Sequence, residues 1–164
     1  MKHLLTLLVA LMAALSLSPG SQAQDSQTHP VLVVNRSGKV TLLYHPLKQY
    51  VGTGKPALLY FWVARYDECR DEVVRIQALH KKYKDRGLIV LGVPMDGEID
   101  ETTASLTELG ISFPQLFDMD EVPSGDYGVD GIPYTLLLGP DGKVVARDLR
   151  GDDLEMAVQG CLGG

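Results

Sequence analysis

The sequence predicts an α/β fold, in which helices flank a mixed central sheet that an N-terminal β-hairpin extends. Residues 57–63 form a near-continuous apolar run, the pattern of a strand buried on both faces of a sheet. Residues 67–86 predict a helix that ends at Gly87, and residues 88–93 predict a second buried strand. A strand, a helix and a strand in succession indicate a right-handed parallel crossover. The predicted apolar face of this helix contains Val73, Val74, Ile76, Leu79, His80 and Tyr83.

Strand-forming runs on either side of a turn sequence predict two β-hairpins. Their strands are residues 31–34 with 39–44, and residues 136–138 with 143–147. Two further helices are predicted over residues 101–109 and 152–161. Asp100 is the expected N-cap of the first, and Gly110 follows its last residue.

The N-terminus has the pattern of a secretory signal peptide. Lys2 precedes an apolar run over residues 4–17, and small residues lead to a cleavage position after Ala23. The run is too short to span a bilayer, so we expect no stable membrane anchor. The predicted organisation is a signal peptide over residues 1–23, a flexible arm over residues 24–30 and one domain over residues 31–164. We therefore expect an exported, periplasmic protein.

The charge of the mature chain argues against nucleic acid as a partner. Loss of Lys2 with the signal peptide leaves 14 Lys and Arg against 21 Asp and Glu, a net charge of −7. The histidines have no ligand spacing to one another or to cysteine, so neither a metal nor another cofactor is expected. The acidic side chains of Asp96, Glu98, Asp100 and Glu101 could ligate calcium, but a helix cap and solvated charge explain them better.

The segment after residues 57–63 suggests thiol chemistry with one component missing. Trp62 ends the predicted strand, and Cys69 lies in the first turn of the following helix, where the helix dipole stabilises a thiolate. A dithiol oxidoreductase needs a second thiol about one helical turn away. Tyr66 stands at that position, three residues before Cys69. The ordinary dithiol cycle is therefore blocked within this chain.

Several short motifs resemble the thioredoxin-like superfamily, and in particular exported redoxin-type thiol-disulfide oxidoreductases of the TlpA and ResA kind. The matching residues are Phe61, Trp62, Cys69, Arg70 and Glu72, then Tyr127, Gly128, Val129, Gly131, Ile132 and Pro133, and finally residues 139–143. The resemblance covers residues 31–158 and implies a thioredoxin fold. It also implies that the Ile132–Pro133 bond is cis and lies beside the turn from Tyr66 to Cys69.

Three departures from the family pattern affect the implied active-site region. Tyr66 replaces the first cysteine, Asp67 and Glu68 replace the usual Gly-Pro or Glu-Pro, and Val74 stands where a helix-kinking proline is frequent. The implied region comprises Trp62, Tyr66, Asp67, Glu68, Cys69, Arg70, Glu72, Ile132 and Pro133. Glu72 is expected to be a helix-surface or capping residue, since its family role as a buried acid needs two thiols.

Three interpretations of Cys69 remain open at this point, and they leave enzyme activity undecided. In the first, Cys69 is a buried relic of a degenerate dithiol reductase, and Asp67 and Glu68 raise its pKa against the helix dipole and Arg70. In the second, Cys69 is the single catalytic thiol of a peroxiredoxin-like thiol peroxidase. In the third, the groove between Tyr66 and residues 132–133 binds a peptide or an exported protein without redox chemistry.

Cys161 is the other cysteine, and we expect no disulfide between it and Cys69. The expected topology starts the final helix at the edge of the sheet that carries Cys69. Its length then separates the two residues by about 15 Å, at 1.5 Å per residue. That separation exceeds the Cα–Cα limit of about 7 Å for a disulfide.

Overall fold

The computed structural model of the protein describes residues 28–34, 40–95, 98–118 and 122–163. The predicted signal peptide, its cleavage position and the turn of the first hairpin lie outside these residues. The strands are β1 Thr28–Val34, β2 Val40–Pro46, β3 Ala57–Trp62, β4 Ile89–Pro94, β5 Gln115–Leu116, β6 Tyr134–Leu138 and β7 Val144–Arg147. The α-helices are α1 Asp67–Tyr83, α2 Ile99–Glu108, α3 Val122–Tyr127 and α4 Gly151–Cys161.

The strands form one mixed sheet in the order β2-β1-β5-β4-β3-β6-β7. Strand β4 runs parallel to both β3 and β5, whereas β3–β6, β6–β7, β1–β2 and β1–β5 are antiparallel. The predicted parallel pairing of β3 with β4 and the strand pairing of both predicted hairpins are thus confirmed. The N-terminal hairpin extends the sheet beyond β5, and the C-terminal hairpin ends it on the other side.

Strand β3 is buried along its whole length because both faces of the sheet are covered. Its alternating side chains enter two separate cores. Leu58, Tyr60 and Trp62 pack with α1 and α4, while Leu59 and Phe61 pack with residues of β4 and β6 on the opposite face. This burial on two faces explains why residues 57–62 are all apolar.

Helix α1 packs a narrower stripe against the sheet than the sequence predicts. Cys69, Val73, Ile76 and Tyr83 are almost fully buried, at the spacing of one helix face. Val74 directly follows Val73 and therefore points away from this face of the helix, where it is 46% exposed. Its prediction as a core residue was wrong. The helix continues into a single 3-10 turn, Lys84–Arg86, which ends at a glycine with φ of 104°. The predicted stop at that glycine is confirmed.

Three other predictions need correction. The arm expected over residues 24–30 cannot extend to residue 30, because β1 begins at Thr28 and pairs there with β2. Asp100 lies in the first turn of α2, and the N-cap position belongs to Glu98, which makes no side-chain capping bond. Strand β5 and helix α3 were not predicted at all. None of the helices in the described part of the chain is long and apolar enough to cross a membrane.

Candidate functional site

The end of β3, the start of α1 and the segment before β6 meet at one edge of the sheet. Tyr66 occupies the N-cap position of α1, where its carbonyl accepts a 3.0 Å hydrogen bond from the Arg70 N–H. Phe61 pairs with Tyr134 across β3 and β6, which brings Pro133 to the same edge as Trp62. The Ile132–Pro133 peptide bond is cis, as the resemblance implies.

A cavity of about 480 Å³ lies between these segments, and we name it the Tyr66 groove. Its lining residues are Arg65, Tyr66, Asp67, Glu68, Ile132 and Pro133. Tyr66 is 49% exposed, and the Arg65 guanidinium lies 5.3 Å from the centroid of its ring. The structure therefore brings five of the predicted site residues together around open space. The other four, Trp62, Cys69, Arg70 and Glu72, do not line this groove.

Cys69 lies beneath the groove and is fully buried. It belongs to the core cluster that also contains Trp62, Val73 and Ile76. Burial raises the pKa of the Cys69 thiol, and the Glu68 carboxylate raises it further. Hydrogen bonds with the Val63 backbone and the Tyr60 side chain lower the pKa in part, as does Arg150. The thiol is thus enclosed and disfavours ionisation.

Arg70 does not provide the positive charge that the sequence assigns to it. Its Nη1 donates a 3.0 Å hydrogen bond to the Ser105 hydroxyl, and its Nη2 lies 2.9 Å from the Glu108 carboxylate. These contacts tie α1 to α2. The cation that lowers the thiol pKa is Arg150, whose position near Cys69 sequence reasoning missed.

Arg150 precedes α4 and fixes the segment that carries the cis peptide bond. Its Nη2 donates a 2.9 Å hydrogen bond to the Pro133 carbonyl and lies 3.5 Å from Asp148 Oδ1. No sequence motif identifies Arg150 as a site residue. Its contact with Pro133, 17 positions earlier, forms only because the C-terminal hairpin brings the chain back to this edge of the sheet. Arg150 therefore joins the start of α4 to the groove wall.

Trp62 is buried behind the groove and held from two sides. Its ring stacks on Tyr60 with centroids 6.3 Å apart, and its Nε1–H donates a 3.0 Å hydrogen bond to Gln115 Oε1. The Gln115 amide in turn donates to the Phe113 carbonyl. Its side chain occupies the space beside Gly92, where an added Cβ would lie only 1.9 Å from Oε1. Because residue 92 is a glycine, β4 leaves room for the Gln115 amide, which orients the Trp62 indole.

Glu72 is buried rather than on the helix surface, so that expectation was wrong. It is 4% exposed, and its Oε2 accepts a 3.1 Å contact from Arg75 Nη1. It lines a second cavity of about 260 Å³ on the same side of α1, which we name the Glu72 pocket. The lining residues are Glu68, Asp71, Glu72, Arg75 and Arg150. Glu68 therefore borders both cavities.

The remaining predictions concern metals and the second cysteine. Within the described ranges, no three His, Cys, Asp or Glu side chains are grouped so that they could hold a metal ion. Asp96, one of the calcium candidates, lies outside those ranges. Cys69 and Cys161 are both free thiols, and Cys161 is half-buried against the core that contains Cys69.

Comparison with known proteins decides the family. The model of the AhpC/TSA family matches residues 24–147, more than half of the chain. The chain belongs to the AhpC/TSA family. It is 28% identical over 109 residues to the thiol-disulfide oxidoreductase ResA of Bacillus thuringiensis, which covers 66% of this chain and 62% of that relative. The match to ResA of Bacillus subtilis is 28% identical over 92 residues, with 56% and 51% covered. The chain thus spans about three fifths of the length of the first of these relatives.

Solved structures show the fold of this family member. The thioredoxin domain of a thiol-disulfide oxidoreductase from Bacteroides vulgatus superposes with a TM-score of 0.64, 27% identity, and coverage of 84% of this chain and 96% of that one. A putative thiol:disulfide interchange protein DsbE from Chlorobium tepidum gives a TM-score of 0.65 at 24% identity, with the same coverage. The AhpC/TSA chain is therefore a thioredoxin-like redoxin with the thioredoxin fold, related to thiol-disulfide oxidoreductases.

Proposed function

We propose that this AhpC/TSA chain has lost dithiol reductase activity and binds an extended polypeptide segment in the Tyr66 groove. One observation carries the proposal. Tyr66 takes the N-cap position of α1, three residues before Cys69, and its half-exposed ring lines the groove. A phenol cannot attack a disulfide, but an aromatic ring is a good contact surface for a bound chain.

The properties of Cys69 argue against catalysis by a single thiol. A peroxidatic cysteine must meet its oxidant as a thiolate. Cys69 has no exposed surface, and burial together with Glu68 raises the pKa of its thiol. Both features slow any reaction with a peroxide. The monothiol alternative therefore has less support than a binding function.

The backbone beside the groove supports recognition of an extended chain. Ile132 precedes β6, and its backbone makes no hydrogen bond with another described residue. Free backbone groups at the edge of a groove suit the addition of a strand-like segment, with side-chain pockets supplying selectivity. The hydrogen bond from Arg150 to the Pro133 carbonyl holds this segment against the groove.

The proposed partner is an exported protein or peptide, because the N-terminal sequence has the pattern of a signal peptide. Cleavage after Ala23 would release residues 24–164 into the periplasm. Mass spectrometry of the protein recovered from its native compartment tests this part of the proposal, since the mature mass fixes the cleavage position. An uncleaved mass in the membrane fraction would contradict export as a free protein.

Two measurements test the function at the groove. In a dithiothreitol-coupled insulin assay, the wild-type chain and Cys69→Ser should both reduce insulin at the background rate. Turnover by the wild type that Cys69→Ser abolishes would refute the loss of reductase activity. Hydrogen exchange with added reduced, carboxymethylated α-lactalbumin should protect residues 64–70 and 130–134, while α4 serves as the internal control. An unchanged exchange pattern would refute the binding function.

A further inference from the structure

The end of α1 that lies away from the Tyr66 groove carries positive charge without ion-pair partners. Lys81, Lys84 and Arg86 are exposed in the last turn of α1 and in the 3-10 turn that follows it. Lys55 is exposed just before β3. None of these four residues, which we name the basic end, forms an ion pair with another residue of the described segments.

The sheet brings Lys55 to this end of the helix. Ala57 pairs with Ile89 in the parallel register of β3 and β4, and the Ile89 N–H donates a 3.0 Å hydrogen bond to the Pro56 carbonyl. Lys55 therefore leaves the sheet beside the residues that directly follow Arg86. A favourable interaction with the helix dipole explains cations in the last turn of a helix, but it does not explain a lysine on a separate segment.

Positive charge predominates at the basic end because carboxylates on adjoining segments are already paired. In α4, Glu155 contacts Lys82, and in the hairpin between β6 and β7, Asp141 contacts Lys143. Asp85 lies within the basic end itself and offsets one of its four cations. The basic end thus favours an anionic partner.

The acidic residues of the Tyr66 groove are too distant to cancel this charge. Asp67 and Glu68 lie in the first turn of α1, whose 17 residues span about 25 Å. The Debye length at physiological ionic strength is about 8 Å, so salt screens the acids of one end from a partner at the other. The basic end can therefore attract an anionic surface although the mature chain carries a net charge of −7.

The arrangement of the four cations suits a membrane surface. They belong to the end of a helix and the start of a strand, and they line neither the Tyr66 groove nor the Glu72 pocket. Long exposed side chains that surround no cavity match the diffuse charge of a bilayer, and clusters of four or more Lys and Arg bind anionic lipid headgroups. The predicted signal peptide also brings the chain to a membrane during export.

We infer that the basic end binds reversibly to the surface of a bilayer that contains anionic phospholipids. Lys55, Lys81, Lys84 and Arg86 contact the headgroups, and the attraction is electrostatic. Such binding needs no membrane-spanning helix. The Tyr66 groove lies at the other end of α1 and stays open to a partner while the protein is bound.

The test measures co-sedimentation of the mature protein, residues 24–164, with sucrose-loaded vesicles. One vesicle type contains equal amounts of phosphatidylglycerol and phosphatidylcholine, and the other contains phosphatidylcholine alone. At low ionic strength the anionic vesicles should bind about tenfold more protein than the zwitterionic ones. Sodium chloride at about 1 M should release it, because the Debye length then falls to about 3 Å.

Matched variants connect the binding to the basic end. Lys84→Gln and Arg86→Gln should each weaken binding about threefold to fivefold, and the double variant Lys81→Glu, Lys84→Glu should abolish it. Arg147→Gln is the control, because it removes the same charge from the exposed end of β7, where Arg147 pairs with Leu136 near the groove edge of the sheet. It should bind like the wild type.

Three outcomes would overturn the inference. The first is equal binding to anionic and zwitterionic vesicles, and the second is no binding to anionic vesicles at low ionic strength. The third is a loss in Arg147→Gln as large as that in Arg86→Gln, since the effect would then reflect net charge. The single glutamine variants keep the test decisive if the double variant does not fold.

Discussion

The Tyr60 hydroxyl donates a 2.9 Å hydrogen bond to the backbone carbonyl of Cys69. Tyr60 comes from the middle of β3 and Cys69 from the first turn of α1, so this bond fixes the start of the helix onto the sheet. Burial raises the pKa of Tyr60 well above its usual range, which keeps the donor protonated. The bond thereby fixes the backbone of Cys69, whose side chain is buried in the core.

The first prediction is that Cys69 resists alkylation in the native protein. Burial raises the pKa of both thiols, but Cys69 is fully enclosed whereas Cys161 is half-buried near the end of α4. Iodoacetamide at neutral pH should modify Cys161 first and Cys69 about a hundredfold more slowly, as expected when modification requires a local opening of roughly 3 kcal/mol. Peptide mass spectrometry over a time course measures both rates. Equal rates would show that Cys69 is accessible.

The second prediction concerns the replacement at Tyr66. Tyr66→Cys should create a pair with Cys69 that oxidises to a disulfide, because the helix N-terminus places the two positions one turn apart. Adding Glu68→Pro removes a carboxylate that raises the Cys69 pKa and should increase insulin reduction beyond the single variant. The mass of the oxidised protein and dithiothreitol-coupled turnover measure these effects. A Tyr66→Cys chain that stays fully reduced in air would contradict the inferred geometry.

The sequence predicted those elements whose signal is local. The apolar run of β3 predicted a buried strand, and the glycine after α1 predicted the end of the helix. The turn sequence between β6 and β7 predicted their hairpin. Strand β5 has two residues, too few for any periodicity, and its assignment depends on its neighbours β1 and β4. Helix α3 contains Pro123 and Gly125, both of which disfavour helix in a sequence-based assignment.

The site was predictable only where its residues are close in sequence or form part of a motif. Tyr66, Cys69 and Pro133 were identified in this way. The role of Arg150 depends on how the C-terminal hairpin returns to the sheet, so no local pattern shows it. A charged residue on a helix is usually exposed, which is why the burial of Glu72 was missed.

The third prediction is that Gly92→Ala destabilises the fold. A Cβ at this position would meet the Gln115 amide, which cannot move without loss of the bond from the Trp62 indole. The free energy of unfolding in urea should fall by about 1–3 kcal/mol, the usual cost of overpacking a core. Gly160→Ala in α4 is the matched control, because an added Cβ there meets nothing within 4 Å. A Gly92→Ala variant as stable as its control would contradict the packing.

The fourth prediction is a loss of stability below neutral pH that involves His80. Burial lowers the pKa of His80, and Lys84 and Lys81 lower it further, while Asp85 raises it. The buried Nδ1 has no hydrogen-bond partner among the described residues, and the ring lies 5.9 Å from that of Phe113. The unfolded chain therefore binds this proton more readily, with a pKa near 6.5. The contribution of the neutral His80 side chain to the free energy of unfolding is complete above about pH 6.5. It is lost as the pH falls through the folded-state pKa of His80.

Urea unfolding of the wild type and of His80→Gln at a series of pH values tests this linkage. The variant should lose less stability than the wild type between neutral pH and pH values near the folded-state pKa of His80. Parallel curves for the two proteins would show that other groups cause the decline. Lys81→Gln should lose less stability than the wild type over the same pH range, because it removes one of the charges that lower the pKa of His80.

The Tyr66 groove is built where β3 ends and β6 begins, and these two strands are hydrogen-bonded neighbours inside the sheet. Neither is an edge strand, since β4 lies beyond β3 and β7 beyond β6. Segments attached to central strands open less readily than segments attached to edge strands. A ligand that enters the groove thus meets a preorganised surface, and the entropy lost on binding comes mainly from the ligand itself.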